Sequence, residues 1–411
     1  MGEERLNKTI VLVTEGFPLS GVTENSFIMP EIDALSKSFK SIYILPIKDE
    51  GWEYHFPNNV IVDRTLACPP KWSDKFKLIW KREVWTRLFG DMFRKNGDSR
   101  LNRIRKSIAY SIYVKYHEKK LRRFIALNEL NVADTVYYTF WFEFVTSALC
   151  NIEGLKVVTR AHGHDLYENG LGYISPSWRR RDLKVLKECY AISDLGTSYL
   201  RNRYKGFESK VHTRYLGSRG PLPRNNENDG FKGITFFCCS RLSPEKGVLR
   251  QADFIKAFAV RNRSTKVRWI LVGDGPERME LDKRLQNMPS NLKVELTGAL
   301  PNDKVHQMLS TRNIDFFVLT SYTEGLPISI CEAFSYGIPV IATSVGGVPE
   351  IVSEKNGLLL SCTPDANEFC EKVDKALPDL ENMRNNAYHD WESRFDALKL
   401  RDSFVGEIAS I

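Results

Sequence analysis

Hydrophobic residues occur along the first half of the chain as short Val- and Ile-rich runs separated by longer amphipathic segments. The runs predict strands at Thr9–Val13, Ser41–Leu45, Thr135–Tyr138, Lys156–Arg160 and Val211–Tyr215. The segments between them predict helices at Ser26–Phe39, Trp141–Asn151, Trp178–Glu188 and Ser198–Tyr204. Because the runs are apolar on both faces and helices separate them, they indicate a parallel sheet covered on both sides.

The same alternation returns in the second half. Strands are predicted at Gly233–Ser240, Val267–Val272, Lys293–Thr297, Phe316–Thr320 and Val340–Ala342, and helices at Val248–Val260, Glu277–Gln286, Asp303–Ser310 and Ser329–Tyr336. Between the two series lies GSRGPLPRNNENDGFKG, residues 217–233, whose Gly, Pro and Asn content is typical of a linker. We therefore expect an α/β chain of two doubly wound domains, at residues 1–216 and 217–390, followed by a helical tail.

The composition is that of a globular protein, since 42% of the 411 residues are hydrophobic and 27% are charged. The formal net charge of +8 excludes a histone-like polycation but is compatible with anionic ligands, phosphates and membrane surfaces. No apolar run approaches the roughly 18 residues of a membrane helix, and MGEERLNKTIVLV is not typical of a signal peptide. None of the eight cysteines forms a C-x-x-C, so we expect reduced thiols and a cytoplasmic protein.

The basic excess is local. Residues 71–123 contain 17 Lys or Arg and 5 Asp or Glu, a net charge of +12, which leaves −4 for the rest of the chain. Aromatic residues such as Trp72, Phe76 and Trp80 are interleaved with these charges at spacings typical of amphipathic helices. Three interpretations stay open: a solvated helical face, a helix lying on an anionic membrane, and nucleic-acid binding, which the lack of any nucleic-acid motif disfavours.

Charged residues and glycines follow two predicted strands of the second half, where open α/β sheets bind their ligands. Arg241 and Lys246 come after the first strand and could flank a diphosphate, with amides of the next helix as further donors. Gly273 and Gly275 follow the second strand and permit backbone to lie close to a ligand. Taken alone, each segment is equally consistent with surface charges or an ordinary turn.

The most informative segment is Ser321–Val352. Glu324, Gly325, Leu326 and a proline lead from a strand into a helix, and Glu332 follows eight residues after Glu324, about one turn into that helix. Two carboxylates that reach one crevice could bind sugar hydroxyls, and the amides of Gly325 and Leu326 could meet a phosphate.

Two features of the first half lie at predicted strand ends. His162 follows the strand Lys156–Arg160, although a single loop histidine is usually structural. The nearby His164 and Asp165 could suggest a metal, but the two histidines are two residues apart and no further ligand is close in sequence. The first strand leads into a turn-rich loop containing Gly21, which lacks the G-x-G-x-x-G of a dinucleotide site.

Taken in order, these motifs resemble the retaining glycosyltransferases of family 4, also called group 1, which have the two-domain GT-B fold. The resemblance covers nearly the full chain and is carried by the Gly21 loop, the His-Gly-x-Asp at His162, the Arg241 and Lys246 pair, and the Glu-x7-Glu from Glu324 to Glu332. The Phe17-Pro18 and Arg-Ala-His-Gly-His-Asp-Leu-Tyr runs look like those of bacterial exopolysaccharide and capsule members.

The resemblance implies two Rossmann-like domains that face a central cleft, with a final helix at 391–411 crossing back to the N-terminal domain. It implies a role for each site residue: the donor diphosphate at Arg241, Lys246, Gly325 and Leu326; the ribose at Glu332; the donor sugar and reaction centre at Glu324 and His162; the nucleobase near Gly273, Gly275, Leu300 and Pro301; and the phosphate and acceptor at Gly21.

The implied activity is a retaining, metal-independent hexosyltransferase that needs no cofactor beyond its substrate, a UDP- or GDP-sugar. The acceptor would be a glycan or a polyprenyl-diphosphate-linked glycan, with residues 71–123 in peripheral contact with the inner face of the cytoplasmic membrane and no nucleic-acid partner. Two alternatives stay open: a sugar-nucleotide epimerase of the same fold, and a non-catalytic subunit that binds nucleotide sugars.

Overall fold

Two units make up the chain in the computed structural model, which describes residues 6–19, 24–48, 54–92, 99–168, 174–223 and 230–411. The first unit comprises Met1–Tyr215 together with Lys399–Ile411, and the second comprises Leu216–Leu398. The hydrophobic pattern places the division one residue later, and it assigns the whole tail from residue 391 to the first unit. The structure keeps residues 391–398 in the second unit.

The first unit is built on a parallel sheet that has seven strands among the described residues, in the order β3-β2-β1-β4-β5-β6-β7. The strands are β1 (Leu6–Thr14), β2 (Phe39–Pro46), β3 (Val60–Val62), β4 (Thr135–Thr139), β5 (Lys156–Ala161), β6 (Glu188–Ala191) and β7 (Val211–Thr213). Every residue of β4 is buried, as expected for a strand with helices on both faces. The strand order reverses between β1 and β4, so the loops after these two strands start at the sheet's topological switch point.

The helices of the first unit are α1 (Asn25–Ser38), α2 (Trp72–Ile79), α3 (Arg82–Met92), α4 (Arg100–Leu127), α5 (Phe144–Cys150), α6 (Pro176–Val185), α7 (Asp194–Arg203) and, from the end of the chain, α15 (Ala397–Ser410). The buried Phe404 and Ile408 of α15 join the core of the first unit, where the Phe404 ring contacts Tyr138 of β4 at 5.5 Å. The prediction that the helix after Trp178 continues to Glu188 is wrong. Glu188 begins β6, because these four residues pair with β5 and β7.

The second unit has a parallel sheet of six described strands in the order β10-β9-β8-β11-β12-β13. They are β8 (Ile234–Cys239), β9 (Val267–Val272), β10 (Leu292–Gly298), β11 (Phe316–Leu319), β12 (Val340–Thr343) and β13 (Gly357–Leu360). Its helices are α8 (Val248–Arg261), α9 (Arg278–Arg284), α10 (Asn302–Thr311), α11 (Ile328–Ser335), α12 (Val348–Ile351), α13 (Ala366–Ala376) and α14 (Leu380–Asp390). The order reverses between β8 and β11, so the prediction of two doubly wound parallel sheets is confirmed.

The segment predicted as a linker begins with ordered contacts. Ser218 pairs with Asp396, and the Trp391 indole N–H donates to the Ser218 carbonyl at 3.3 Å. Gly217 is required here, since a Cβ at this position would lie 2.2 Å from the carbonyl oxygen of Phe395. The start of the segment is therefore packed against the turn that precedes α15. Among the described residues, no helix combines the length and hydropathy needed to cross a bilayer.

Candidate functional site

The loops that follow β8 and β11 are joined at the switch point of the second sheet. The Tyr322 amide donates to the Glu245 carbonyl at 2.7 Å, and the Thr320 hydroxyl donates to the Gly247 carbonyl at 2.9 Å. The Arg250 guanidinium donates to the carbonyls of Thr320 and Ser321, which ties α8 to the same edge. These contacts hold Ser240–Gly247 and Thr320–Pro327, the two segments that carry most of the predicted donor site, side by side.

Lys246 and Glu324 form an ion pair within this edge. The Lys246 ammonium donates to Glu324 Oε1 at 2.7 Å, and the Ser321 hydroxyl donates to the same oxygen at 2.6 Å. The Glu324 side chain is only 8% exposed, so both donors orient a mostly buried carboxylate. Its second oxygen, Oε2, accepts no hydrogen bond from the residues that the structure describes, which leaves it available to a ligand hydroxyl.

Arg241 and two backbone amides supply donors that the protein itself does not use. The Arg241 side chain is exposed and forms no hydrogen bond or ion pair with the described part of the chain. The amides of Gly325 and Leu326, just before α11, likewise donate to no described group. A guanidinium can bind oxyanions in a bidentate manner, and free amides at the start of a helix favour anions. This edge therefore has the donor chemistry of a phosphate site.

Close backbone packing explains the glycines of this edge. A Cβ on Gly273 would lie 1.8 Å from the Ser240 carbonyl oxygen, and a Cβ on Gly275 would lie 2.4 Å from that of Leu242. Packing alone thus requires glycine at the two positions predicted to face a nucleobase. Gly346, which the sequence analysis did not select, has a φ of +53° and would bring a Cβ to 1.8 Å from the Glu324 carbonyl oxygen.

Glu332 lies at the fifth position of α11 and contacts the start of α10. Its Oε1 accepts a hydrogen bond from the Asn302 side-chain amide at 2.9 Å and lies 3.5 Å from His306 Nε2, while Oε2 accepts none from the described residues. Asn302 directly follows Leu300 and Pro301, so the structure brings the predicted ribose-binding residue to the predicted nucleobase segment. Asn302 and His306 have no signal in the sequence pattern, because only the packing of α10 beside α11 brings them to Glu332.

In the first unit, His162 lies immediately after β5, and its imidazole packs between two aromatic rings. The centroid distances are 4.6 Å to Phe140 and 4.2 Å to Trp141. Burial lowers the pKa of His162 and outweighs the opposing effect of Asp165, so the ring is neutral at pH 7. Both ring nitrogens are buried without a hydrogen-bond partner among the described groups, as expected for a side chain that completes its hydrogen bonding with a ligand.

Glu24 organises the loop that leads from β1 into α1. Its carboxylate accepts hydrogen bonds from the amides of Glu15, Gly16 and Phe17 at 2.7–2.8 Å and from the indole N–H of Trp141. The loop and the ring that stacks on His162 are therefore held by one buried carboxylate, which the sequence analysis did not select. The predicted acceptor residue Gly21 lies outside the described residues.

The histidines of the first unit do not form a larger polar cluster. His164 pairs with Glu143, with 3.2 Å between Nε2 and Oε1. In the parts of the chain that the structure describes, no group of three or more His, Cys, Asp or Glu residues is arranged to hold a metal ion.

Known proteins match the second unit in sequence and the whole chain in fold. Residues 224–390 match the family model "Glycosyl transferases group 1". The human protein of the phosphatidylinositol N-acetylglucosaminyltransferase is 31% identical over 170 residues, which is 39% of this chain. The alignment spans about a third of the length of that relative and of its Arabidopsis thaliana counterpart, at 34% of each.

Two solved structures illustrate the likeness in fold. The lipopolysaccharide outer core galactosyltransferase WaaB has a TM-score of 0.67 and 14% identity, with 98% of this chain and 100% of that chain covered. Anabaena Alr3699/HepE in complex with UDP and glucose has a TM-score of 0.62 and 18% identity, over 98% of this chain and 100% of that chain. The chain therefore has the α/β GT-B fold, and its second unit matches the group 1 glycosyl transferases.

Proposed function

We propose that the protein is a retaining glycosyltransferase that moves a sugar from a UDP- or GDP-sugar to a glycan or lipid-linked acceptor in bacterial surface polysaccharide biosynthesis. One observation carries the proposal: the unpartnered Arg241 guanidinium and the free amides of Gly325 and Leu326 accompany the Lys246–Glu324 pair at the switch point of the second sheet, within the part of the chain that the structure describes. The family match supports it, since residues 224–390 include all five residues.

Each group has a role that follows from its chemistry. Arg241, Lys246 and the two amides bind the donor diphosphate and stabilise the negative charge that grows on it as the sugar leaves. Glu324 accepts a hydroxyl hydrogen of the donor sugar through its unused Oε2. Glu332 accepts from the ribose in the same way, because its Oε1 is already held by Asn302.

The proposed reaction is a front-face substitution at the anomeric carbon. The bond from this carbon to the phosphate oxygen breaks, and the acceptor hydroxyl oxygen forms the new bond on the same face through an oxocarbenium-like state. The leaving phosphate takes the acceptor's proton, so the products are the glycoside and a nucleoside diphosphate. The neutral imidazole of His162 would contact the donor sugar, which fits its two nitrogens that lack a described partner.

Binding of the donor tests the site. We expect UDP or GDP to raise the unfolding temperature, since a ligand at 100 times its Kd adds about 2.7 kcal/mol of stability. Arg241→Ala should remove most of the shift. The control is Arg263→Ala, another exposed arginine of the second unit, which should retain it. If neither nucleotide stabilises the wild type, the donor-site assignment is wrong.

Turnover separates the proposal from its two alternatives. A transferase consumes the nucleotide sugar only in the presence of an acceptor, whereas an epimerase converts it alone and a non-catalytic subunit binds it without turnover. NMR of the product should show the anomeric configuration of the donor. An inverted linkage would exclude the front-face mechanism.

A second observation concerns the partner of the basic segment. Trp72, Phe76 and Trp80 lie at every fourth position of α2 and its cap, so they share one face, and they are 86%, 68% and 74% exposed. Exposed lysines flank this face at positions 71, 77 and 81. Lys/Arg with Trp and Phe on one short helix is the pattern of a helix that lies in an anionic membrane surface. We propose that this face holds the first unit at a membrane that carries the acceptor.

Vesicle binding tests this surface. Each lysine near an anionic bilayer contributes about 1 kcal/mol, so Lys77→Gln/Lys81→Gln should weaken binding to phosphatidylserine-containing vesicles by roughly 30-fold. The matched control, Lys283→Gln/Lys293→Gln, removes two exposed lysines of the second unit and should bind normally. Unchanged binding of the first variant would return the segment to a solvated face, and salt-sensitive RNA binding would favour the nucleic-acid interpretation.

A further inference from the structure

A chain of buried polar contacts connects Glu332 to the segment that enters the second unit. The backbone amide of Leu222 donates to the Tyr336 hydroxyl at 3.0 Å, and this hydroxyl lies 2.9 Å from His306 Nδ1. On the other side of the same imidazole, Nε2 lies 3.5 Å from Glu332 Oε1. His306 and Tyr336 are 1% and 2% exposed.

The direction of the hydrogen bonds follows from their first donor. An amide N–H can only donate, so the Tyr336 oxygen accepts from Leu222, and its own hydrogen is available to His306 Nδ1. With Nδ1 as acceptor, the neutral imidazole carries its hydrogen on Nε2, which faces the Glu332 carboxylate. The tautomer of His306 is thus set by a tyrosine rather than by the carboxylate.

The same arrangement orients Glu332. Asn302 donates to Oε1 at 2.9 Å, and the Nε2–H of His306 approaches that oxygen from a second direction. Two donors on one oxygen hold the plane of the carboxylate and leave Oε2 for a ligand. Because His306 and Tyr336 are buried, water cannot replace a lost partner, and an unpaired polar atom there is costly.

We propose that His306 is a positioning residue for the donor ribose and that Tyr336 sets its tautomer. The inference rests on the proposed function, in which Glu332 accepts a ribose hydroxyl. Since the Tyr336 hydroxyl also accepts the Leu222 amide, the same buried relay couples the placement of the chain entering the second unit to the grip on the ribose.

Binding of ribose and deoxyribose forms of one nucleotide tests the relay. The probes are UDP and GDP with their 2′-deoxy and 3′-deoxy analogues, measured by calorimetry on the full chain. The wild type should prefer the ribonucleotide it binds over at least one analogue. Tyr336→Phe, which deletes only the hydroxyl, should cut that preference about 10-fold, or about 1.4 kcal/mol, and leave the affinity for the deoxy form unchanged. Tyr388→Phe, a half-exposed tyrosine of the same unit, is the matched control.

A second pair of variants separates positioning from packing. His306→Leu should lose the preference as Tyr336→Phe does. His306→Gln can place an amide donor toward Glu332 and should restore most of it. An equal fall in affinity for both nucleotide forms would show a purely structural role and overturn the relay, as would an unchanged preference in Tyr336→Phe and His306→Leu. If the wild type binds neither UDP nor GDP, the proposed function itself fails.

Discussion

The strongest stability prediction concerns a buried ion pair under the last helix. Arg160 of β5 donates to Glu31 of α1 at 2.6 Å, and the two side chains are 2% and 6% exposed. The Arg160 guanidinium also lies 4.1 Å from the centre of the Phe404 ring of α15. One charge pair therefore joins the sheet, the first helix and a helix from the opposite end of the chain.

The expected magnitudes follow from burial. Replacing Glu31 by leucine leaves a charged guanidinium in a low-dielectric site and should cost about 3–5 kcal/mol, and Arg160→Met should cost a similar amount. In the double variant Glu31→Leu/Arg160→Met no charge of the pair stays buried, so its stability should lie close to that of the wild type. A double-mutant cycle should then give a coupling energy of about 3 kcal/mol or more.

Urea unfolding at pH 7, followed by far-UV circular dichroism, measures the free energies of the cycle. In parallel thermal scans, each single variant should lower the unfolding temperature of the first unit by roughly 6–20 °C, taking about 2–4 °C per kcal/mol. The control is Lys48→Met, which breaks an ion pair to Glu15 whose partners are 58% and 46% exposed and should cost below about 1 kcal/mol. Single variants as mild as this control, or a double variant no more stable than either single one, would refute the reasoning.

Three further predictions follow from the site and from burial. Glu324→Gln and Lys246→Ala should each reduce transfer about 100-fold or more with an unchanged circular dichroism spectrum, and a near-wild-type rate would refute their roles. Gly346→Ala forces a Cβ toward the Glu324 carbonyl and should raise the KM for the donor, whereas an unchanged KM would show that the loop can yield. Burial lowers the pKa of His117 to about 4, so the unfolded chain binds a proton between pH 6.5 and 4 that the folded chain does not. Stability must therefore decrease as the pH is lowered through this window, and at pH 5 the wild type should have lost about 2 kcal/mol relative to pH 7 that His117→Gln does not lose in urea titrations. An identical pH dependence of the two proteins would contradict this.

The fold was predictable where a segment's periodicity was unambiguous. The strand at 267–272 is buried throughout and was predicted with both its ends, because continuous apolar residues between helical segments have one interpretation. The four residues of β6 were predicted partly as the end of a helix, and β3 and β13 were not predicted at all. Such short runs are ambiguous by themselves, and pairing with neighbouring strands decides them.

The candidate site was predictable in part for a related reason. Arg241, Lys246 and Glu324 follow buried strands, and a strand's carboxyl end identifies a ligand-binding edge without any coordinates. The contact between Lys246 and Glu324 was not predictable, because these residues are 78 positions apart and meet only when β8 and β11 become neighbours.

The sequence by itself determined the two series of strands and helices, the local charge of residues 71–123 and the residues at strand ends, since each depends on neighbours along the chain. Only the tertiary structure decided which loops share a switch point, which oxygen of Glu332 is already held, and how Tyr336 orients His306. These properties depend on distances of about 3 Å between residues that are remote in sequence, and only packing of the sheets and helices sets such distances.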